Sequence, residues 1–461
     1  MQKIQWIEEE FKGVEFGDKR LNNRLKVLGS CLYSSPRSKI TRACQNWASA
    51  KGAYRFFDNK KVTSDIMFSA HQQQTFVRIE KQLKKGDVLL VPQDTTYFNY
   101  THFPTIKGLS KMSGVAGDIY GCLMHSSIAM TEDELPLGII DQKIFTRKSI
   151  DSYQESNHKL RPIDKKESYR WIEQLETLIS LKDEYDVVSI CDREADIFEY
   201  MQTANDFEVS FIIRSRYPRG LFEQGKMGDG HIERLKPTGK IQIEVESNGK
   251  KRVATLKVYF DKVTLSTPTR RKEAVSIDLE PQEVTVIYVK EVNAPNKEER
   301  IDWTLITNRE VLNFESAKRI IGFYKARWNI ECWHKTIKSG FSVEDCRLNH
   351  YEKLKSYLCL TSILAWKIYF LVKIKRTNPS LECECVFSTE EWKALYLKIN
   401  KSLNFPKSPP TINVAITWLA QLGGFMNRKG DGEPGMTSLW RGIHRLRDVI
   451  EDYKIITQTY G

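Results

Sequence analysis

Two short apolar runs, each leading to an aspartate, place the strongest constraint on the fold of this chain. The run GDVLLVPQDTT, starting at residue 86, has the length and polar ending of a buried strand, with Asp94 just past its end. The run DVVSICDREADIFEYM repeats the pattern, with Asp192 at the strand end and a helix after it. Such units predict an α/β core, whose site forms where the carboxyl ends of strands meet. Either aspartate alone is more often a turn or cap residue.

At 461 residues the chain is longer than one hydrophobic core usually organises, so two or three domains are expected. Its patterning divides it into three ranges. Residues 1–72 have the pattern of short helices. Residues 73–375 carry the two strands, a hairpin around TEDELP and further helices, with a β-rich insertion at about 220–300. Residues 376–461 are predicted to be helical.

The positive charge is concentrated near the N-terminus. Residues 1–62 hold 13 Lys and Arg against 6 Asp and Glu, within a chain of net charge +12. A concentrated basic segment most commonly contacts phosphate, although on charge alone a solvated face is an equal alternative. The sequence shows no secretory signal and no apolar run of about 18 residues, which predicts a cytoplasmic protein without a membrane contact. The nine cysteines include no CxxC pair, so neither a disulfide framework nor a zinc site is predicted.

A later segment, SAKRIIGFYKARWNIECWHKTIKSG, is predicted to be a helix with a charged stripe. At about 100° per residue, five side chains project from one side. They are Tyr324, Arg327, Glu331, Lys335 and Lys338. Taken alone, a stripe of both charge signs favours a solvated face. The helix also carries four apolar residues, which predict that it is packed and that the stripe faces a cleft: Trp328, Ile330, Trp333 and Ile337.

Asp94, Asp192 and Glu331 together suit a magnesium site. Hard divalent ions need few carboxylates and keep water or phosphate oxygens as their other ligands. A pair of such ions activates an attacking hydroxyl and stabilises the leaving oxygen of a phosphodiester. Arg327 and Lys338 can then hold the phosphates of the strand. His334 is better interpreted as a satisfied or solvent-facing histidine, because oxygen ligands suit magnesium.

The motifs along the chain resemble those of the insertion-sequence-four family of bacterial DDE transposases. The spacing of Tyr324, Arg327, Glu331 and Lys338 matches the Y-R-E-K signature of that family. The similarity covers nearly the whole chain, through FGDKRLNNRL, GAYRFFDN, QDTT, CDREADI, IIRSRYPR, DWTLIT, YKARWNIECWHKTIKSG, WLAQLGGFM and LWRGI. Two departures are Cys332, where a second glutamate is expected, and the poorly matching residues 225–290.

The resemblance implies a fold and an activity. The fold would be an RNase H-like catalytic core, a mixed sheet flanked by helices, between an N-terminal domain that binds transposon ends and a C-terminal dimerisation domain. Asp94, Asp192 and Glu331 would hold Mg²⁺, with Mn²⁺ able to substitute. The enzyme would cut double-stranded DNA at transposon ends through a hairpin and join the 3′ ends to target DNA, as a homodimer in the synaptic complex. It would work in the cytoplasm, associated with the nucleoid.

The resemblance also assigns DNA contacts. Tyr324, Arg327 and Lys338 would grip phosphates around the hairpin, and Trp303 would stack on a flipped base. Lys335, on the same stripe, is a further candidate for DNA contact. Three arginines after a predicted strand are further candidates: Arg214, Arg216 and Arg219. The N-terminal candidates for end binding are Arg20, Arg24, Arg37, Lys39 and Arg42.

Two other functions stay open from the sequence. A structure-specific nuclease needs only the metal triad and gives no reason for Trp303 or the stripe. A DNA-binding regulator derived from a transposase would be favoured by degenerate catalytic residues or by loss of the basic N-terminus, and this chain has neither feature.

Overall fold

The computed structural model describes most of the chain, namely residues 4–112, 119–147, 162–223, 225–247, 250–268, 278–292, 294 and 300–460. Strands and helices alternate through much of it, so the protein is mixed α/β, as predicted. The chain forms two compact units, each built from separate stretches. Unit 1 comprises residues 1–82, 95–149 and 331–461, and unit 2 comprises residues 83–94 and 150–330. These units cut across the three sequence ranges, whose division into domains stays a prediction.

The N-terminal part of unit 1 is helical, as the patterning predicts. Its helices are α1 (Gln5–Glu10), α2 (Lys19–Ser34), α3 (Ile40–Ala43), α4 (Trp47–Asp58) and α5 (Ser64–Gln82). Three of these helices, α2, α4 and α5, begin at side-chain caps, where a cap oxygen satisfies a backbone N–H that has no partner within the helix. Asp18 accepts the N–H of Arg20 before α2, and Asn46 accepts the N–H of Ser49 before α4. Thr63 accepts the N–H of Ile66 at the start of α5.

Unit 1 also contains strands. They are β2 (Ser110–Lys111), β3 (Tyr120–Thr131), β4 (Pro136–Phe145) and the second half, residues 95–99, of β1 (Val88–Asn99). β3 pairs antiparallel with β4 on either side of the predicted TEDELP turn, so the hairpin is confirmed. Nearly every residue of β3 is buried, and α5 packs on β4.

The C-terminal part of unit 1 is helical. Its helices are α11 (Tyr351–Thr377), α12 (Thr389–Asn400), α13 (Ile412–Leu422) and α14 (Met436–Tyr460). Among the described residues, α11 is the one helix long and apolar enough to span a membrane, with a mean hydropathy of 1.5 over its most apolar window. The structure buries 89% of that window inside the protein. Core packing therefore accounts for its composition, and the sequence patterning did not single it out.

Unit 2 is a sheet with helices. Its strands are residues 88–94 of β1, β5 (Asp186–Cys191), β6 (Ser210–Arg214), β7 (Gly239–Ser247), β8 (Lys250–Leu265), β9 (Gln282–Val292) and β10 (Asp302–Thr307). Its helices are α6 (Tyr169–Ile179), α7 (Phe198–Asp206), α8 (Asp229–Ile232) and α9 (Phe314–Ala326). The strand order is β1-β5-β6-β10-β9-β8-β7.

The direction of the strands changes within this sheet. β1, β5 and β6 are parallel, whereas β10, β9, β8 and β7 continue the sheet as antiparallel neighbours. Strands β7 to β9 are the predicted β-rich insertion, and they extend the sheet from β10. Within the predicted insertion, the strand-like run AVSIDL, residues 274–279, lies largely outside the described residues.

Candidate active site

The two strand-end aspartates occupy matching positions on neighbouring parallel strands. The pairing of β1 with β5 runs from Val88 opposite Asp186 to Pro92 opposite Ile190. Asp94 lies two residues after Pro92, and Asp192 lies two residues after Ile190. Because neighbouring strands lie about 4.8 Å apart, this register brings the two aspartates to the same edge of the β1–β5 pair. Both side chains are partly exposed there.

The local setting of Asp94 differs from the sequence prediction. The predicted strand ended before Asp94, but β1 continues to Asn99. The position of Asp94 relative to Asp192 depends on where the pairing of β1 with β5 ends, which is at Pro92. Just before Asp94, the buried Gln93 donates from Nε2 to Ser189 Oγ at 2.9 Å, which ties the two strands together at this point.

Asp192 has a capping role as well as its place in the site. It follows the last residue of β5, and its Oδ1 accepts the N–H of Glu194 at 2.7 Å. This bond caps a short 3₁₀ turn, residues 193–195, and the predicted helix begins only at Phe198. The cap restricts the orientation of the Asp192 carboxylate at the strand end.

Tyr324 lies at the centre of a polar and aromatic cluster in unit 2. Arg327 and Arg214 lie close enough to its hydroxyl to interact with it electrostatically. The Trp303 ring meets the Tyr324 ring edge-on, with 5.4 Å between centroids and 66° between planes. Asp192 is close enough to act on the tyrosine electrostatically. Four of the predicted site residues are therefore gathered beside Asp192.

The charges of this cluster depend on its burial. Burial raises the pKa of Tyr324, and the two arginines oppose that rise only in part, so its hydroxyl stays protonated. Burial lowers the pKa of Arg214, with a smaller contribution in the same direction from Arg193 and Arg327. Arg214 also donates from Nη2 to the carbonyl oxygen of Asp302 at 3.2 Å. Partly desolvated cations here can attract a phosphate strongly.

The helix that carries the charged stripe is not uniform. α9 ends at Ala326, Arg327 links it to α10 (Trp328–Lys335), and a π-helical turn spans Thr336–Gly340. The N–H of Ile330 bonds to the carbonyl of Arg327 over three residues, tighter than an α-helix, while the π turn is wider. The angles predicted from 100° per residue therefore do not hold along the whole stripe.

The apolar side of this helix agrees with the prediction except at one residue. Ile330, Trp333 and Ile337 are fully buried, but Trp328 is 62% exposed. Trp328 directly follows Arg327, so it is an exposed indole next to the cluster, which the packing argument missed. His334 is buried rather than facing solvent.

The rest of the stripe belongs to unit 1. Glu331 is partly exposed on α10 and Lys335 is exposed. Lys338, in the π turn, places its Nζ 4.4 Å from the centroid of the Tyr97 ring. In the part of the chain that the structure describes, no three His, Cys, Asp or Glu side chains group closely enough to hold a metal ion. Asp94 and Asp192 nonetheless supply the oxygen donors that magnesium prefers.

The loop after β6 is organised by a residue that the sequence analysis did not single out. The side chain of Asp196 is buried, and its Oδ2 accepts the N–H of Arg216 at 2.7 Å. Its Oδ1 accepts from Arg219 Nε at 2.7 Å. Arg219 is thus engaged within the protein, whereas Arg216 is exposed and stacks on Tyr217 at 5.2 Å. The signal was available, since CDREADI contains two aspartates and only Asp192 follows the strand directly.

The N-terminal basic residues divide into engaged and exposed groups. Arg20 forms an ion pair with Asp18 at 3.0 Å, although its side chain is 92% exposed. Arg24 packs across Gly52 of α4, where a Cβ atom would lie 2.8 Å from Arg24 Cζ. The remaining three are exposed around the α2–α3 connection: Arg37, Lys39 and Arg42. Together with Arg20, they present accessible positive charge in this region.

Comparison with known proteins finds transposase families at both ends of the chain. Residues 3–62 match the transposase DNA-binding family, and residues 363–460 match the Transposase Tn5 dimerisation domain. Together these matches support a DNA transposase. More narrowly, they support a Tn5-like transposase, which confirms the family resemblance stated from the motifs.

A solved structure also resembles the chain, but weakly. It is the cryo-EM structure of a piggyBac transposase synaptic complex with hairpin DNA, 8% identical in sequence, with a TM-score of 0.34. The match covers 68% of this chain and 52% of that one, so the chain spans about half the length of this relative. A similarity at this level carries no argument about function.

Proposed function

We propose that this protein is a cut-and-paste DNA transposase of the DDE type. It binds the terminal repeats of a transposon, cleaves them through a hairpin intermediate and joins the 3′ ends to target DNA. The observation that carries the proposal is the gathering of Trp303, Tyr324, Arg327 and Arg214 beside Asp192. A nuclease that only hydrolyses phosphodiesters has no evident use for a tryptophan packed edge-on against such a cluster.

An RNase H-like core is part of this proposal. In support, the hairpin β3–β4 lies in unit 1 with the second half of β1, and the first half of β1 runs parallel to β5 and β6 in unit 2. The two aspartates fall where the β1–β5 pairing ends, the usual position of a site in a sheet with parallel strands.

The proposed metal ligands are Asp94, Asp192 and Glu331. The first two are supported by the register of β1 with β5. Glu331 is supported by the motif resemblance, since it completes the Y-R-E-K spacing with Tyr324, Arg327 and Lys338. Magnesium is commonly held by one or two carboxylates plus substrate phosphates, so the third ligand can join when DNA is bound. A bound Mg²⁺, or Mn²⁺ in its place, would activate water and stabilise the leaving oxygen.

The other side chains have roles that follow from their surroundings. Tyr324 keeps its proton and can donate to a phosphate oxygen, while Arg327 and Arg214 supply charge. Trp303 offers an aromatic face to a base that leaves the helix when the hairpin forms, which offsets part of the unstacking cost. The N-terminal segment would bind the ends, and the C-terminal segment would pair two protomers in the synaptic complex.

The test uses isosteric variants of the three carboxylates on a labelled duplex carrying the terminal repeat that flanks the gene. Asp94→Asn, Asp192→Asn and Glu331→Gln should each lower cleavage by at least about 1,000-fold, since each removes a metal ligand. Binding of the end, measured by gel shift, should stay within about threefold. Asp183→Asn, which changes an exposed aspartate before β5, is the control and should cleave normally.

Each outcome separates the candidate functions. A triad variant that still cuts contradicts its assignment as a metal ligand. A precut end with a free 3′ hydroxyl should be joined to target DNA by a transposase, and cleavage without joining would point to a nuclease. Binding without cleavage in both Mg²⁺ and Mn²⁺ would point to a DNA-binding regulator.

A further inference from the structure

Lys338 lies over two aromatic rings of unit 1. Its Nζ is 4.4 Å from the centroid of Tyr97 and 5.8 Å from that of Phe98. A lysine ammonium within about 6 Å of a ring face is attracted to it electrostatically. Phe98 is fully buried, whereas Tyr97 is 39% exposed, so the Tyr97 ring is the part of this contact that solvent and DNA can reach.

The backbone on both sides of the contact is fixed. On the strand side, the N–H of Asn99 donates to Glu344 Oε1 at 2.7 Å, and the hydroxyl of Tyr100 donates to the carbonyl of Val343 at 3.0 Å. These bonds join the end of β1 to the segment that follows the π turn. The separation between the ring and the lysine backbone is therefore set by residues outside the contact.

The helix side is fixed by close packing. Thr336, at the start of the π turn, is fully buried and donates to the carbonyl of Cys332 at 3.0 Å. Gly340, at its end, lies so close to Trp440 of α14 that a Cβ atom would be 3.0 Å from the indole. The π turn thus holds the Lys338 backbone in one place, and the contact with Tyr97 is made by the side chain beyond it.

We infer that Tyr97 is a positioning residue for Lys338, its ring holding the ammonium in the orientation that receives a DNA phosphate. This inference rests on the proposed function. A lysine side chain otherwise loses up to about 2 kcal/mol of rotamer entropy when it is fixed on a ligand. A ring that restricts the side chain beforehand removes part of that cost. Tyr97 touches the lysine through its π face, so the hydroxyl should be dispensable.

The test compares variants that keep or remove the ring. Tyr97→Leu removes the π face with little change in bulk, and we expect the kcat of end cleavage to fall roughly three- to tenfold, with end affinity unchanged. Tyr97→Phe keeps the ring and should restore the kcat. Tyr120→Leu removes a similarly exposed ring, at 47%, from the neighbouring strand β3 and should have no effect. A Tyr97→Phe variant as slow as Tyr97→Leu would overturn the inference.

A second measurement does not depend on activity. Reductive methylation with ¹³C-formaldehyde gives each lysine an NMR signal, and the Lys338 signal is assigned by its loss in Lys338→Arg. Its resonance should be ring-shifted in the wild type and in Tyr97→Phe, and should return towards solvent-exposed values in Tyr97→Leu. An unshifted Lys338 signal in the wild type overturns the inference even if the protein cleaves DNA. If instead the wild type does not cleave, the proposed function fails and the signal still decides the contact.

Discussion

The buried carboxylate of Glu10 gives the most quantitative prediction, because its partners fix its charge state. Glu10 is 4% exposed and lies 2.8 Å from Arg78 Nη1 and 2.5 Å from His71 Nδ1. The Nε2 of His71 accepts the N–H of Ile139 at 2.9 Å. A ring nitrogen that accepts a hydrogen bond carries no proton, so His71 is neutral and donates from Nδ1 to Glu10. Burial, which lowers the pKa of His71, agrees with that state.

The contribution of the Glu10 charge to the free energy of unfolding follows from the pKa of Glu10. Burial by itself would raise it, but Arg78 and His71 more than reverse that effect, so the pKa falls from 4.5 to about 2. A depressed carboxyl pKa stabilises the fold fully above the unfolded value, and the contribution disappears as the pH falls through the folded value. A shift of this size corresponds to roughly 3 kcal/mol at neutral pH.

Glu10→Gln keeps the shape of the side chain and removes its charge. At pH 7 we expect the free energy of unfolding to fall by roughly 3 kcal/mol, and we expect this deficit to shrink as the pH is lowered from about 4.5 to about 2. Urea unfolding followed by tryptophan fluorescence at several pH values measures it. Glu9→Gln, on the same helix but exposed, is the control and should change stability by less than about 0.5 kcal/mol. A deficit that stays constant from pH 7 to pH 3 would refute the reasoning.

Three further substitutions test the space around two helical glycines and the hydrogen bonds of one loop. Gly442→Ala should destabilise unit 1 by about 2 kcal/mol or more, because its Cβ would lie 2.0 Å from the Leu419 carbonyl oxygen. Gly322→Ala in α9 should instead stabilise the protein by about 0.5–1 kcal/mol, because its Cβ would meet nothing within 4 Å. Urea unfolding of the two variants measures both changes. Asp196→Asn should weaken the hydrogen bonds from Asp196 to Arg219 and to the loop after β6. Limited trypsin digestion should then cut within residues 215–219 faster, while far-UV circular dichroism stays unchanged. An unchanged digestion rate would contradict this role of Asp196.

The strands and helices were largely predictable because each has a local signature. The run before Asp192 is apolar and ends at the strand end, and the structure confirms β5 there. The run before Asp94 has the same signature, yet β1 continues to Asn99. The continuation, TTYFN, is partly polar, which resembles a strand ending. A strand that changes partners along its length carries no local mark of the change, so the sequence did not reveal that Asp94 lies within β1 rather than just past its end.

The charged stripe shows a second limit of local reasoning. Its spacing predicted one face of one helix, but that geometry requires a uniform helical twist. The tight turn at Arg327 and the π turn at Thr336–Gly340 break the uniformity. The packing of Trp440 against Gly340 involves residues 100 positions apart, so no window of sequence around the stripe can reveal it. The contact of Lys338 with Tyr97 was hidden for the same reason.

The position of Trp303 shows what the β-rich insertion contributes to the site. β10 is held on one side by β6, with Leu305 opposite Arg214, and on the other side by six consecutive pairs with β9. Side chains alternate along a strand, so a slip of one residue would turn Trp303 to the opposite face, away from Tyr324. β9 is in turn paired with β8 over eleven residues. The insertion therefore fixes the register of β10, the strand that carries Trp303. This role does not require the insertion itself to contact DNA. The sequence of the insertion can therefore vary without moving Trp303, as long as the pairing of β8 with β9 and of β9 with β10 is kept.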